Sequence, residues 1–517
     1  MYHLKIWKYL SLPWLAFSLI FFIGFFYSAF FFEVDNQFLS SFYLWTLFSN
    51  TLILSIATGL LSALIAVPLA IIVTLYKFPG HKFFSWSLSL SIAFPTYVYA
   101  FVFVGIFEYS SPLATFLREY GFAIPSIKNI YGASIIMSMA LFPYIFLLAK
   151  AQLSNMGVSL FKAGKTLGKS NLQAIIKILI PSLWPTILAG IILVMLETIA
   201  DFGGVSTLRI DTFTVGIYDA WFGYQSYFSG ARLAAYLLMF VFVFLFLSKY
   251  LSRPSESIAS TSSDSHDKIV LNMPYQYVFS FICSIIFLIT FCFPLFQIIK
   301  WALLNDASLF LDTFGVFFNS FLLGLSASLF TVIISVILAL GFLGATTMRP
   351  FITISSSGYA IPGSVIAAGL LITFDSIFNI SITSYGIFGL IFCLALRFMT
   401  PSFNYLSASL NNIAPSSRDA LSGFLISSPK AFYLFYFPQM RPAILMSLLV
   451  VFIEVVKEQP ATLLLRPVGF ETLSSKIYNF TSEGQWVLAS VPSLFLIVIC
   501  LIFVYILNKG IDLKINN

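Results

Sequence analysis

The chain alternates between long apolar stretches and short polar ones. A helix that crosses a membrane needs about 20 mostly apolar residues, and about twelve stretches of the sequence reach that length. They are residues 9–31, 52–76, 84–108, 132–150, 183–203, 233–250, 276–299, 318–345, 353–375, 384–404, 440–458 and 487–508. This pattern predicts an all-α polytopic membrane protein.

The composition agrees with that fold class. Of the 517 residues, 59% are hydrophobic and only 9% are charged, whereas soluble domains carry about 25% charged residues. The net charge of +7 comes from Lys and Arg in short segments beside the apolar stretches, where such residues set the orientation in the membrane. We therefore expect a lipid membrane around the chain and no nucleic-acid partner.

The distribution of these charges predicts the topology. If the N-terminus is inside, an even number of spans puts both termini in the cytoplasm, and 19 of the 27 Lys and Arg residues fall on the cytoplasmic side. This excess follows the positive-inside rule. The first apolar stretch is longer than the ~7–15 residues of a signal-peptide core, so we expect it to be retained as the first span of a multi-pass protein.

A polar island between two apolar stretches, Lys162–Pro181, recurs 257 residues later as Asp419–Pro438. At this one offset, nine of 36 consecutive positions are identical without a gap, and an internal repeat of this kind indicates two copies of one unit. We predict two homologous halves, residues 1–250 and 274–517, with six spans each. The serine-rich, polar residues 251–273 are predicted to be a flexible cytoplasmic linker.

Other features recur in both halves. Asn50 opens the second span and Asn319 the eighth, and a proline lies inside the third span, at Pro95, and inside the ninth, at Pro362. Proline within a span kinks the helix, and the freed backbone groups are tolerated where protein or a water-filled cavity satisfies them. The kinks therefore fit either the lining of a pathway or a purely structural bend.

The two islands resemble the cytoplasmic signature of binding-protein-dependent ABC importer permeases, in which Glu-Ala-Ala is followed by Gly and then by Ile-x-Leu-Pro. We call them the coupling loops, residues 162–181 and 419–438. Two departures from the pattern are Lys162 in place of the acidic residue and Leu425 in place of the turn glycine. The matching positions are Lys162, Ala163, Gly164, Gly168 and Pro181 in the first loop, and Asp419, Ala420, Leu421, Leu425 and Pro438 in the second.

This resemblance implies a tandem repeat of two type I ABC importer permease domains. Each coupling loop would form a short helix that fits a groove on an ATPase subunit, so two copies of that subunit are expected. Ala163 and Ala420 would lie at the contact, where small side chains allow close approach. The chain itself would be non-catalytic and bind no cofactor, because its partner would use the ATP, and a periplasmic binding protein would supply the substrate.

One motif in the first coupling loop is a poor fit to its usual function. Residues Ala163–Ser170 satisfy a relaxed phosphate-loop pattern, with Ala in place of the first Gly. A phosphate loop follows a buried strand and opens a helix, whereas a predicted membrane span precedes this segment. Gly168 is better explained as a turn between two short helices, because glycine permits tight backbone geometry.

Two pairs of acidic residues end the fifth and the eleventh spans. Glu197 and Asp201 are four apart, which places them on one helix face, and Glu454 and Glu458 repeat this spacing at the offset of 257. Ionisable residues within a span are costly and usually face a cavity or a partner, and carboxylate oxygens suit hard metal ions. The four are candidates for a translocation path for a cation. Alternatively, they reach the outer headgroup region or pair with Lys457.

The same regions resemble bacterial ferric-iron ABC permeases. Residues 197–206 and 211–218 are similar to their first half, residues 457–467 and 472–478 to their second half, and residues 361–367 to the same group. The resemblance implies an importer for Fe(III) in the bacterial inner membrane. It does not imply that the four carboxylates touch iron, and it identifies no metal ligands.

Three alternatives to a ferric importer stay open. A permease for thiamine or another small cation shares the two-halved layout, although its outer segments match less well. A secondary transporter or channel would have no use for two ATPase-docking loops. A polytopic membrane enzyme is the third, but the sequence has no Asp-rich diphosphate motif, Ser–His pairing or His cluster.

Overall fold

The computed structural model describes residues 5–122, 125–251, 268–270, 272–344, 346–356, 358–377, 386–423 and 427–515. Within these ranges, eleven helices are long and apolar enough to cross a membrane, and one strongly bent pair raises the number to twelve. The predicted all-α polytopic fold is therefore confirmed.

The described helices and strands are as follows in chain order: α1 (Lys5–Phe31), α2 (Ser41–Leu75), β1 (Tyr76–Lys77), α3 (His81–Ser87), α4 (Thr96–Phe107), α5 (Pro112–Glu119), α6 (Ile130–Thr166), α7 (Asn171–Ala174), α8 (Ile180–Ala200), α9 (Gly203–Thr207), α10 (Phe213–Tyr218), α11 (Tyr227–Leu251), β2 (Ile269–Val270), α12 (Met273–Phe287), α13 (Phe293–Ala302), α14 (Ala307–Gly344), α15 (Arg349–Ser355), α16 (Gly363–Ile372), α17 (Ile387–Asn411), α18 (Pro415–Gly423), α19 (Ser428–Ala431), α20 (Phe437–Lys457), α21 (Pro460–Leu465), α22 (Leu473–Ser482) and α23 (Trp486–Ile515).

The chain divides into two compact units. Unit 1 comprises Met1–Leu44, Phe213–Leu238 and Asn305–Asn517, and unit 2 comprises Trp45–Thr212 and Met239–Leu304. The first span of each sequence half therefore belongs to the unit built mainly from the other half. The division predicted at residues 251–273 is based on the sequence repeat, whereas the two units are defined by their compactness. The predicted division therefore stays a prediction.

In unit 1, α1 packs against α14 and α16. The ring of Trp14 lies 6.1 Å from that of Phe330 on α14. Gly369 on α16 lies under Phe21 and Phe25, where an added Cβ would be 2.8 Å from an atom of each ring. A small residue thus lets two helices approach closely, as is common between membrane helices.

In unit 2, α12 and α13 pack against α3 and α4. The rings of Phe83 and Phe287 are 5.3 Å apart, and Trp301 stacks on Phe101 at 6.3 Å. Aromatic side chains therefore fill this contact.

The sequence repeat is visible in the helix bounds. The helices α7, α8 and α9 begin 257 residues before α19, α20 and α21. Packing repeats as well: a Cβ at Gly59 would lie 3.1 Å from Met195 on α8, and one at Gly324 would lie 2.8 Å from Phe452 on α20. Met195 and Phe452 are again 257 residues apart. Equivalent elements therefore make equivalent contacts.

Both prolines expected to kink a span lie at a break between helices. Pro95 precedes α4 after a 3-10 turn at Leu90–Ala93, and Pro362 precedes α16 after one at Gly358–Ala360. The helix direction of the ninth span changes by 116° at its break. Each break starts a new helix, whose first N–H groups have no partner within that helix.

Most of the predicted linker, residues 252–267 and 271, lies outside the described residues. Its end is held in unit 2, because β2 pairs in parallel with β1 and Lys268 Nζ donates a hydrogen bond to Val73 O at 2.9 Å. The serine-rich composition did not indicate this pairing.

Candidate functional site

The first coupling loop is the end of a long helix followed by a tight turn. The 37-residue helix α6 runs to Thr166, so Lys162, Ala163 and Gly164 lie on its last turns, with Lys162 and Ala163 exposed. Gly168 has a φ of +75°, which glycine adopts without strain. The expectation of two short helices around Gly168 is therefore wrong on its N-terminal side. A helix rather than a strand also precedes the phosphate-loop-like residues.

Hydrogen bonds and close packing both stabilise the turn after α6. Ser170 Oγ accepts a hydrogen bond from Gln173 N at 3.2 Å, and Gln173 Oε1 accepts one from Ser170 N at 3.2 Å, which is a capping box. A Cβ at Gly164 would lie 3.0 Å from Ala174 Cβ and 2.8 Å from Ile178 Cδ1. Gly164 thus allows α7 to pack tightly on α6, and the loop forms a closely packed helix–turn–helix.

The second coupling loop is built from shorter pieces. The helix α17 ends at Asn411, and the separate helix α18 carries Asp419, Ala420 and Leu421. A proline opens α18, which accounts for the break. Ala420 is exposed and Leu421 is buried, while Leu425 lies outside the described residues. In both loops the alanine of the signature is therefore available to a partner.

Pro181 and Pro438 each occupy the second position of a long helix, α8 or α20. A π-helical turn precedes each helix, at Ile175–Leu179 and at Phe432–Tyr436. In a regular helix the proline ring clashes with the carbonyl four residues back, and the wider π turn relieves that clash. The signature prolines thus join the coupling helix to the following span through the same local structure in both halves.

Asp201 lies directly after α8 in an extended conformation. Its Oδ2 accepts a hydrogen bond from Val205 N on α9 at 3.1 Å, and its Oδ1 accepts one from Thr96 Oγ1. Thr96 is the first residue of α4, directly after the break at Pro95. In unit 2 this carboxylate therefore joins the ends of three helices, and we call this arrangement the Asp201 corner.

Glu458 occupies the equivalent position after α20 in unit 1, where it is 5% exposed. Its Oε1 accepts a hydrogen bond from Ala461 N on α21 at 3.3 Å, and Arg397 Nε lies 3.1 Å from its Oε2. Arg397 Nη1 also donates to Ile361 O, just before the helix break, at 3.3 Å. A Cβ at Gly363 would overlap Glu458 Oε1. This Glu458 corner thus contains a buried ion pair.

Sequence reasoning missed both Thr96 and Arg397. The 19 Lys and Arg residues assigned to the cytoplasmic side include Arg397. This assignment is wrong, because Arg397 lies inside α17 with 8% of its surface exposed. An arginine within an apolar stretch is costly unless it is paired, which is the signal that could have found it. The residue 257 positions earlier is Ala140, so the repeat does not provide the Asp201 corner with an arginine.

The two remaining acidic residues have different surroundings. Glu197 lies on the last turns of α8 and is half-buried. Glu454 lies 3.1 Å from Lys457 Nζ, which is one of the alternatives the sequence left open. Among the described residues, no three or more His, Cys, Asp or Glu side chains are arranged to hold a metal ion. A path along the four carboxylates therefore stays a proposal.

Residues 66–254 match the family described as "Binding-protein-dependent transport system inner membrane component". The Fe(3+)-transport system permease protein FbpB 2 of Haemophilus influenzae is 26% identical over 90% of this chain and 89% of its own. The ferric transport system permease protein FbpB of Actinobacillus pleuropneumoniae is 24% identical over 88% of this chain and 70% of its own.

A shorter similarity links the chain to the sulfate transport system permease protein CysT of Salmonella typhimurium, which is 26% identical over 30% of this chain and 55% of its own. The matched family region contains the first coupling loop, and the two ferric permeases align with most of the chain. The resemblance first seen in the coupling loops is thereby confirmed. Residues 66–254 thus match the inner membrane components of binding-protein-dependent transport systems, and most of the chain is similar to ferric permeases of that kind.

Proposed function

We propose that this chain is the permease of an ATP-driven importer that carries Fe(III) from a periplasmic binding protein into the cytoplasm. The observation that carries the proposal is the pair of coupling loops. Each combines an exposed alanine, a short helix, a π turn and a long helix in one order. Such a loop suits docking to a moving partner, because a rigid connection transmits a displacement that a flexible loop would absorb.

Two equivalent loops favour two ATPase subunits, one for each loop. The helix α20 begins 6 residues after α19 ends, and its 21 residues extend about 30 Å at 1.5 Å per residue. A push on α19 would therefore reach the Glu458 corner at the far end of α20. The helices α7 and α8 make the same connection to the Asp201 corner.

The similarity to ferric permeases supports Fe(III) as the substrate. It extends over 90% and 88% of this chain, whereas the similarity to the sulfate permease extends over 30%. Glu197, a half-buried carboxylate on the last turns of α8, would favour a cation over an anion. Thiamine or another small cation would satisfy the same electrostatics and is the second candidate.

The test is uptake of radiolabelled Fe(III) into proteoliposomes that contain this chain, its ATPase and its binding protein, with ATP supplied inside or withheld. We expect iron to accumulate only with ATP and only with the loaded binding protein. The matched control is the same assembly with Ala163→Glu and Ala420→Glu, which should insert normally but fail to couple.

The outcomes separate the alternatives. If the loaded binding protein stimulates ATP hydrolysis but no iron enters, the substrate is wrong, and labelled thiamine is tested next in the same vesicles. If iron accumulates without ATP, a secondary transporter is the better explanation. If verified partners produce neither ATP hydrolysis nor uptake, the proposal fails.

A further inference from the structure

Two short segments of the chain are equivalent members of the repeat. Residues 211–218 and 471–478 each begin with an acidic residue and Thr, and each ends with Ile-Tyr, at an offset of 260. The offset differs from 257 because the second copy has three more residues between the corner and the segment. In this alignment Tyr218 and Tyr478 occupy equivalent positions in the two copies.

Hydrogen bonds support this alignment independently. Asn50 Nδ2 donates to Asp211 O at 3.0 Å, and Asn319 Nδ2 donates to Glu471 O at 3.1 Å. The two asparagines lie on α2 and α14, which are the equivalent helices of the two copies. Each copy therefore anchors the start of its segment with the same side chain on the same backbone carbonyl.

Tyr218 and Tyr478 touch each other within unit 1. Their ring centroids are 5.6 Å apart with the planes at 69°, and their side chains are hydrogen-bonded to one another. A residue touches its own equivalent only where the axis that relates the two copies passes, as at an isologous interface. With an even number of spans in each half, the copies have the same orientation, so this axis runs across the membrane.

We propose that the contact between Tyr218 and Tyr478 is a gate that closes the translocation path on its outer side. In transporters built from two repeats, the substrate passes at the repeat interface, so a contact on the axis blocks its way. The two segments follow α8 and α20, at the helix ends that lie away from the coupling loops. Because the coupling loops are assigned to the cytoplasmic side, the segments are assigned to the outer side. This proposal rests on the proposed importer function.

The chemistry of the contact suits a gate that opens repeatedly. Both rings are half-buried, and burial raises the pKa of Tyr218 and of Tyr478, so both hydroxyls stay protonated at neutral pH. A hydrogen bond between neutral groups contributes little net stability when water can replace it. Arg466, whose Nη1 lies 3.7 Å from Glu471 Oε1, and the exposed Asp219 provide charged groups nearby. Opening would therefore expose polar groups rather than an apolar plug.

Hydrogen bonds connect this gate to the Glu458 corner. Ser474 Oγ donates to Glu458 O at 2.9 Å, and Gln459 Nε2 donates to Ser474 O at 3.0 Å. Ser474 lies one turn before Tyr478 on α22. A displacement of α20 driven from its coupling loop would therefore move α22 and separate the tyrosines, which links ATP use to opening.

The experiment replaces the tyrosines with cysteines. In a background without Cys283, Cys292, Cys393 and Cys500, Tyr218→Cys and Tyr478→Cys are combined in the full importer. A reducible bifunctional thiosulfonate, long enough to replace two phenol rings, joins them. We expect cross-linking to stop iron uptake and a reductant to restore it, while Tyr218→Cys alone with the same reagent continues to transport. Normal uptake by fully cross-linked protein would overturn the proposal.

A second measurement needs no transported substrate. A membrane-impermeant thiol reagent added outside should modify Tyr218→Cys slowly in the resting importer and faster when the ATPase is trapped with ATP and the binding protein is docked. Equal rates in the two states would overturn the gate. If iron fails to enter the wild-type vesicles but the rates differ, the gate stands and the proposed substrate fails.

Discussion

Arg397 Nε lies 3.1 Å from Glu458 Oε2, and both side chains are almost fully buried in unit 1. The pair joins α17 to the residue directly after α20, and Arg397 also binds the carbonyl before the break at Pro362. A buried ion pair adds little net stability, but loss of one partner leaves an uncompensated charge that costs about 3–5 kcal/mol. We therefore assign this pair to fixing the corner rather than to binding substrate.

Arg397→Met should strongly reduce the amount of folded protein and its melting temperature in detergent, because it leaves the Glu458 carboxylate buried without a cation. Adding Glu458→Gln should recover much of the loss, because the double variant buries no charge. The measurement is thermal unfolding of the purified permease. Lys457→Met, at the less deeply buried pair with Glu454, is the control and should cost less than Arg397→Met. A single Arg397→Met variant as stable as the wild type would contradict the assignment.

The Asp201 corner should depend on the hydroxyl of Thr96. Thr96→Val keeps the shape of the side chain but removes the donor to the Asp201 carboxylate, and a hydrogen bond to a charged group contributes about 1.5–3 kcal/mol. Thr96→Ser keeps the donor and should lose much less. Thermal unfolding of the two variants in parallel measures the difference. Equal stability of the Val and Ser variants would mean that the hydroxyl is not needed.

Much of this architecture could be predicted from the sequence, because its signals are local. Long apolar stretches predict membrane spans. Pro95 and Pro362 predict helix breaks, because proline has no backbone N–H to donate to the helix. The offset of 257 residues aligns Ala163 with Ala420, and it aligns the acidic ends of the fifth and eleventh spans with each other. The first residues of the helices in these regions follow the same offset.

Contacts between distant segments could not be predicted in this way. Nothing local indicates that Arg397 meets Glu458, that Thr96 meets Asp201, or that α1 packs on α14, because hydrophobicity specifies burial and not a partner. The contact of Tyr218 with Tyr478 requires knowing where the axis of the repeat passes, which the alignment of two segments does not give.

The turn at Gly168 gives a test of loop rigidity. At its φ of +75° a residue with a Cβ is strained by about 1 kcal/mol, whereas Asn tolerates this conformation better than Ala. We expect Gly168→Ala to weaken co-purification of the ATPase more than Gly168→Asn does. An added Cβ at Gly168 meets nothing within 4 Å, so a steric clash cannot explain the difference. If Ala binds the ATPase as well as Asn, the left-handed turn is not required for docking.

The exposed alanines of the two coupling loops give the most direct test of docking. Ala163→Glu and Ala420→Glu add a bulky charge to surfaces that are open in the permease, so the helices should fold and insert while the ATPase loses its contact. We expect the double variant to reach the membrane in normal amounts, to lose ATP-dependent uptake and to release the ATPase during purification. Ala163→Ser with Ala420→Ser keeps both side chains small and should transport normally. Normal uptake by the Glu variants would show that neither alanine lies at the ATPase contact, and the docking surface would then have to lie elsewhere on the chain.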